Sequence, residues 1–179
     1  MTLPALTRRE LGLGAVALPF ALAVEDAFAK TDGQLAILRA AVDLEQKAVL
    51  SYRLAAARLN RAEARLAELL RDQEQKHADG LTMALRNRGG RPPPKPTGPG
   101  QVPGLERALA GDRRTILAFA IGLEDTAVAA YGDALRKLRD PRLLSPIVSI
   151  LGNEGQHLAV LRQALGVQPV PGAFERGAR

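Results

Sequence analysis

Leu70-Arg71-Asp72-Gln73-Glu74-Gln75-Lys76-His77 carries a glutamate and a histidine three residues apart. On an α-helix, positions three apart share a face, so Glu74 and His77 point the same way. The same spacing returns as Glu154-Gly155-Gln156-His157. The chain has two histidines, and each follows a glutamate at this offset.

Both pairs fall inside apolar stripes of helical period. Leu66, Leu70, Glu74, His77, Leu81 and Leu85 step by threes and fours, as do Ile147, Ile150, Glu154, His157, Leu161 and Leu165. Two more stripes each hold one carboxylate: Glu45 between Val42 and Val49, and Glu124 between Ile121 and Val128. Helices are predicted over residues 33–59, 61–88, 112–139 and 141–165. Asn60, Asp112 and Asp140 are candidate N-caps, with Pro141 at a first helical position. Gly89 and Gly166 stand where helices should stop.

The halves repeat. Leu44-Glu45-x-x-Ala48-Val49-x-x-Tyr52 matches Leu123-Glu124-x-x-Ala127-Val128-x-x-Tyr131. Between them, residues 89–104 hold six prolines and cannot form a regular helix. About 15 residues of extended chain at roughly 3.1 Å each span about 45 Å, the length of a 30-residue helix. The fold expected is therefore all-α: an antiparallel four-helix bundle, two helical hairpins joined by a long Pro/Gly-rich crossover. Neither hairpin alone could bury its stripe, so residues 30–179 form one domain with a non-helical tail at 167–179.

Glu45, Glu74, His77, Glu124, Glu154 and His157 should then converge at mid-bundle. Four carboxylates in a dry core repel one another, and some would have to hold protons. Two divalent cations would neutralise them, with neutral imidazoles completing the shells. Glu74 and Glu154 would bridge, Glu45 and Glu124 would each cap one metal, and each histidine would give one nitrogen. Oxygen-rich ligation with one nitrogen per metal suits two Fe, or alternatively two Mn. A bundle that keeps Glu–His or Glu–Arg pairs without metal is the competing reading. Tyr52 and Tyr131 lie two turns beyond Glu45 and Glu124. A supporting hydrogen bond behind the ligands or a redox role is one reading of them as catalytic residues; a core tyrosine with its hydroxyl satisfied locally is the plainer one. Asp43, Asp72 and Asp125 flank ligand positions, where a carboxylate could orient an imidazole, but adjacent helical positions point elsewhere, so the surface is the expected place for them.

Composition removes several function classes. With no cysteine, disulfides, thiolate catalysis, Cys zinc sites and iron–sulfur clusters are excluded. Aromatics make up 3% of a chain that is 46% hydrophobic, which suits packed helices. The net charge of +6 comes mostly from arginines that are not interleaved with aromatics, so no specific nucleic-acid partner is expected.

The first 29 residues read as an export signal. Arg8-Arg9 precedes a weakly apolar run from Leu11 to Val24, and Ala27-Phe28-Ala29 is a small-x-small cleavage pattern. The run is too short to span a membrane, and no transmembrane segment is expected after signal removal. The paired arginines resemble a twin-arginine signal, with Leu11-Gly12-Leu13 as a departure from the usual larger apolar residue. A periplasmic or secreted location follows.

Glu45, Glu74-x-x-His77, Glu124 and Glu154-x-x-His157, on four helices with a long crossover, resemble the ferritin-like di-iron superfamily. The resemblance covers residues 31–166 and looks most like exported bacterial ferritin-like domain proteins of unassigned activity. It implies a dinuclear centre that works with O₂ or peroxide as a ferroxidase, peroxidase or catalase. Cage-forming ferritins usually add a fifth short helix where this chain is Pro/Gly-rich, and rubrerythrins add a Cys-rich module. Storage in a large cage is therefore not expected, while a homodimer is compatible. A non-catalytic metal-binding or structural bundle of the cell envelope is the alternative.

Overall fold

The computed structural model describes residues 33–177; the expected export signal lies outside them. Four long helices carry the fold: α1 Gln34–Ala56, α2 Arg61–Arg86, α4 Arg113–Lys137 and α5 Pro141–Leu165, with a short α3, Leu105–Ala110, before α4. No strand occurs among the described residues.

Caps set the helix boundaries. The Asn60 side chain accepts from the backbone N–H groups of Ala62 and Glu63, which starts α2. Asp112 accepts from Thr115 to start α4, and Asp140 accepts from Arg142 to start α5. Gly166 closes α5 at φ 80°, with Gly166 and Val167 donating back to Gln163 and Arg162. That left-handed turn is open to glycine and strained for other residues. Helix α1 stops at Ala56, three residues short of the expected end, because the chain must turn before Asn60 can cap α2.

Neighbouring helices run antiparallel. The start of α1 meets the end of α4, where the Gln34 side chain accepts from the backbone N–H of Asp140 at 2.8 Å. Arg88, just beyond α2, donates to Asp140 at 2.6 Å. So the end of α2, the start of α5 and the α1/α4 junction share one end of the bundle. Since α4 begins at the other end, residues 87–112 must climb its full length. Arg39 of α1 pins this crossover by donating to the Arg91 carbonyl at 2.6 Å. Val102, Leu105 and Ala108 then bury against the core. The long crossover needed by the sequence is present, stiffened by a 3₁₀ turn at Pro99–Gln101 and by α3.

Helix α4 is the most enclosed element. Every residue from Ile116 to Val128 is buried. By length and composition it could cross a membrane, but 78% of its apolar window is buried inside the bundle. A helix that is apolar all round is a core helix when other elements cover every face. Here α1, α5, α3 and the tail do so, the tail bringing Gly177 against the backbone of Asp125 and Ala129.

Candidate metal centre

All four long helices deliver a carboxylate to the same part of the core. Glu45, Glu74, Glu124 and Glu154 are each at most 1% exposed. His157 is equally enclosed, whereas the His77 side chain keeps 13% of its surface. The six residues singled out from the sequence lie together.

Their atoms divide into two sets. His77 Nδ1 lies 3.2 Å from Glu74 Oε2, 3.2 Å from Glu154 Oε1 and 3.7 Å from Glu45 Oε2. His157 Nδ1 lies 2.9 Å from Glu74 Oε1, 3.1 Å from Glu154 Oε2 and 3.5 Å from Glu124 Oε2. Glu74 and Glu154 thus give one oxygen to each side. The imidazoles face each other with centroids 6.2 Å apart. Each set of four residues offers ligand atoms within 4.8 Å of one another, the spacing of a shell around an ion.

The donor set fits metal on a second count. Glu74 Oε1, both Glu154 oxygens and His157 Nδ1 are buried with no hydrogen-bond partner. They are near one another but not aimed as donor and acceptor. Buried polar groups left unmet each cost roughly 1–3 kcal/mol, more when charged. Atoms that converge on a shared point rather than on each other are arranged for a cation.

Electrostatics agree. Burial, then repulsion from Glu124, Glu154 and Glu45, holds the Glu74 carboxyl well above the usual range. Burial, then Glu124 and Glu45, pushes Glu154 up to about 8. Burial also works to raise Glu124, but contacts with His157, Glu154 and Tyr52 outweigh it and leave that carboxyl low. Burial pulls both imidazoles down, yet the surrounding carboxylates win, raising His157 and taking His77 to about 12. Without a cation, the cluster is held together by protons.

The tyrosines reach across the pseudo-twofold axis. Tyr52 of α1 donates to Glu124 Oε1 of α4, and Tyr131 of α4 donates to Glu45 Oε1 of α1. Local satisfaction of these hydroxyls, the plainer expectation, does not occur. Helices α1 and α4 are antiparallel, so seven residues beyond one glutamate is level with the other. In each case Oε1 is held by the tyrosine, and Oε2 faces a histidine. Burial first, then the carboxylate facing it, raises both phenols well above their ordinary value, so they stay protonated donors.

One contact was not anticipated. Gln73 Oε1 lies 2.7 Å from His157 Nε2. Gln73 stands four residues before His77, on the stripe that faces α5, and that register was its only signal. The flanking aspartates do other work: Asp43 pairs with Lys47 at 2.6 Å and Asp72 with Arg71 at 2.8 Å. Asp125 is buried rather than on the surface, 3.3 Å from Arg162.

A family model of the ferritin-like domain matches residues 18–167. The chain belongs to the ferritin-like family. No curated protein and no solved structure matches it. The ferritin-like fold and the Glu/His cluster together describe a helical protein with a site compatible with metal.

Proposed function

We propose that this ferritin-like chain holds a dinuclear iron or manganese centre on Glu45, Glu74, His77, Glu124, Glu154 and His157, and that the centre performs redox chemistry with O₂ or peroxide. The observation that carries the proposal is the division of the Glu74 and Glu154 oxygens between two histidine-bearing sets. Two such ions would supply reversible electron transfer toward O₂ or peroxide.

The chain's own residues have distinct tasks. Glu74 and Glu154 span both positions. Tyr131 and Tyr52 each occupy one oxygen of Glu45 and Glu124, so each carboxylate offers its other oxygen inward. The Gln73 carbonyl accepts from His157 Nε2–H, so that in the neutral ring Nδ1 is the nitrogen left for a metal. The closed core around α4 excludes bulk water from the His157 side.

Metal-loaded protein should turn over O₂ or peroxide, and Glu154→Ala should abolish turnover. A protein that holds metal stably yet shows no oxidant-dependent change in its absorption spectrum is a static metal-binding bundle, and the redox reading is then wrong.

We further infer export to the periplasm or medium. Arg8-Arg9 and Ala27-Phe28-Ala29 support it. The twin-arginine route passes folded proteins, which suits a site filled before export. Replacing Arg8 and Arg9 with lysine should retain the protein in the cytoplasmic fraction; unchanged export would remove this inference.

A further inference from the structure

A groove of about 640 Å³ runs between α2 and α5, with His77 among the residues lining it. That volume falls within the range of small-molecule sites, roughly 300–1,000 Å³. It extends along α2 from Lys76 to Ala84, about 12 Å at roughly 1.5 Å per residue, and on to Asn87 and Arg88 just beyond the helix. Its walls are mainly apolar, from Leu81, Ala84, Leu143, Ile147 and Ile150, with Asn87 and Ser149 as uncharged polar members. The charged residues lining it are Lys76 near His77, and Arg88 and Arg142 at the far end. Arg88 and Arg142 share a single carboxylate, Asp140, which leaves that end positive. The Arg142 side chain is 85% exposed and hydrogen-bonds Asp140 through Nε and Nη2. Lys76 has no ion pair among the described residues.

Two features keep the groove open beside the site. Gly80 lies one turn beyond His77, and a Cβ there would meet nothing within 4 Å. A mid-helix glycine is unfavourable in a helix, so open space is a reason to place one there. Pro146, inside α5, also lines the groove. It offers wall surface without a backbone donor.

We propose that this groove binds an organic carboxylate with a linear apolar body. Its carboxylate is held by Arg142 and Arg88, and its hydrocarbon lies along Leu143, Ile147 and Leu81 with the far end toward His77. Charge complementarity decides the occupant: a cationic rim repels metal ions and amines and favours a carboxylate, which arginine can grip through two hydrogen bonds. Apolar walls favour a chain over a small polar anion. The proposal rests on the metal reading only in giving the ligand's far end a reactive neighbour. It makes the two halves of the centre unequal, since His77 borders the groove and His157 is sealed.

Decanoate, decyltrimethylammonium and acetate should be titrated by calorimetry into wild type, Gly80→Ala, Gly80→Leu, Arg142→Ala and Glu74→Ala. Decanoate is expected to bind with a dissociation constant below about 1 mM, and the other two at least about tenfold more weakly. Gly80→Leu should weaken decanoate by about tenfold or more while the melting temperature holds or rises, because leucine is the better helix former. Gly80→Ala should bind as wild type does, and Arg142→Ala more weakly. Glu74→Ala removes a proposed metal ligand but no groove wall, so it should bind decanoate as wild type does. If Glu74→Ala and wild type hold equally little metal but both bind decanoate, the metal reading fails and the groove stands. No decanoate binding, equal binding of the cationic chain, or indifference to Gly80→Leu overturns the groove proposal.

Discussion

Glu74 shows most clearly what the centre demands of single residues. It is a carboxylate on a core stripe, and both its oxygens face histidine nitrogens on opposite sides. In chelated protein, replacing it with the neutral amide should help folding: Glu74→Gln is expected to raise stability near neutral pH by roughly 1 kcal/mol or more, because the buried carboxyl must take up a proton to fold and glutamine need not. The same variant should fail to retain metal. Melting curves with and without chelator check both signs together, and lower stability of the chelated variant would contradict the charge argument. Tyr52→Phe has the opposite consequence. It strips Glu124 Oε1 of the tyrosine hydroxyl that donates to it, leaving a buried acceptor unmet at a cost of about 1–3 kcal/mol. Gln73→Ala should cost roughly 10–100-fold in affinity at the His157 position alone, a selectivity that a general loss of packing would not give. Sequence register exposed the six core residues because they interrupt stripes. It did not expose Gln73, because one glutamine beside a glutamate is indistinguishable from a solvated one until α5 is placed opposite it.

The elements contribute register. Helices α1 and α4 present their glutamates at the level of each other's tyrosines, and this follows from the repeated Glu-to-Tyr offset plus antiparallel packing. The repeat was visible in the sequence; that the contact would be crosswise was not, since two hairpins can be docked at several depths. Helix starts were legible for a local reason: Asn60, Asp112 and Asp140 cap through side chains that need only their own next turn. Asn60→Ala should therefore cost about 1 kcal/mol and lower the melting temperature without changing metal content. The exact end of α1 was less legible because apolar Leu59 continues the stripe past the last helical turn.

At the scale of the whole molecule, a stable bundle surrounds a cluster that is poorly stable by itself. The sign of its pH dependence follows. In metal-free protein, burial and then Glu124 and Glu45 raise Glu154 from 4.5 to about 8. His77 rises from 6.5 to about 12 because Glu154, Glu45 and Glu74 outweigh burial. Both groups bind protons more tightly when folded, so the stability they give is complete at low pH and lost as pH rises through these windows. The lowered carboxyl of Glu124 acts in the opposite sense, but only below its ordinary value of 4.5. Chelated protein should thus melt several degrees lower at about pH 8 than at about pH 5.5. Added metal should reverse the trend, because protons compete for the same atoms. A chelated protein that is more stable at the higher pH would refute this electrostatic account.

Two cations should complete the core. Protein produced with iron or manganese supplied, and purified without chelator, should contain close to two metal ions per chain by elemental analysis. Glu74→Ala should lose most of that metal while the helical content is kept. Fewer than one ion per chain, with the same content in Glu74→Ala, would show that the six residues are not a metal centre.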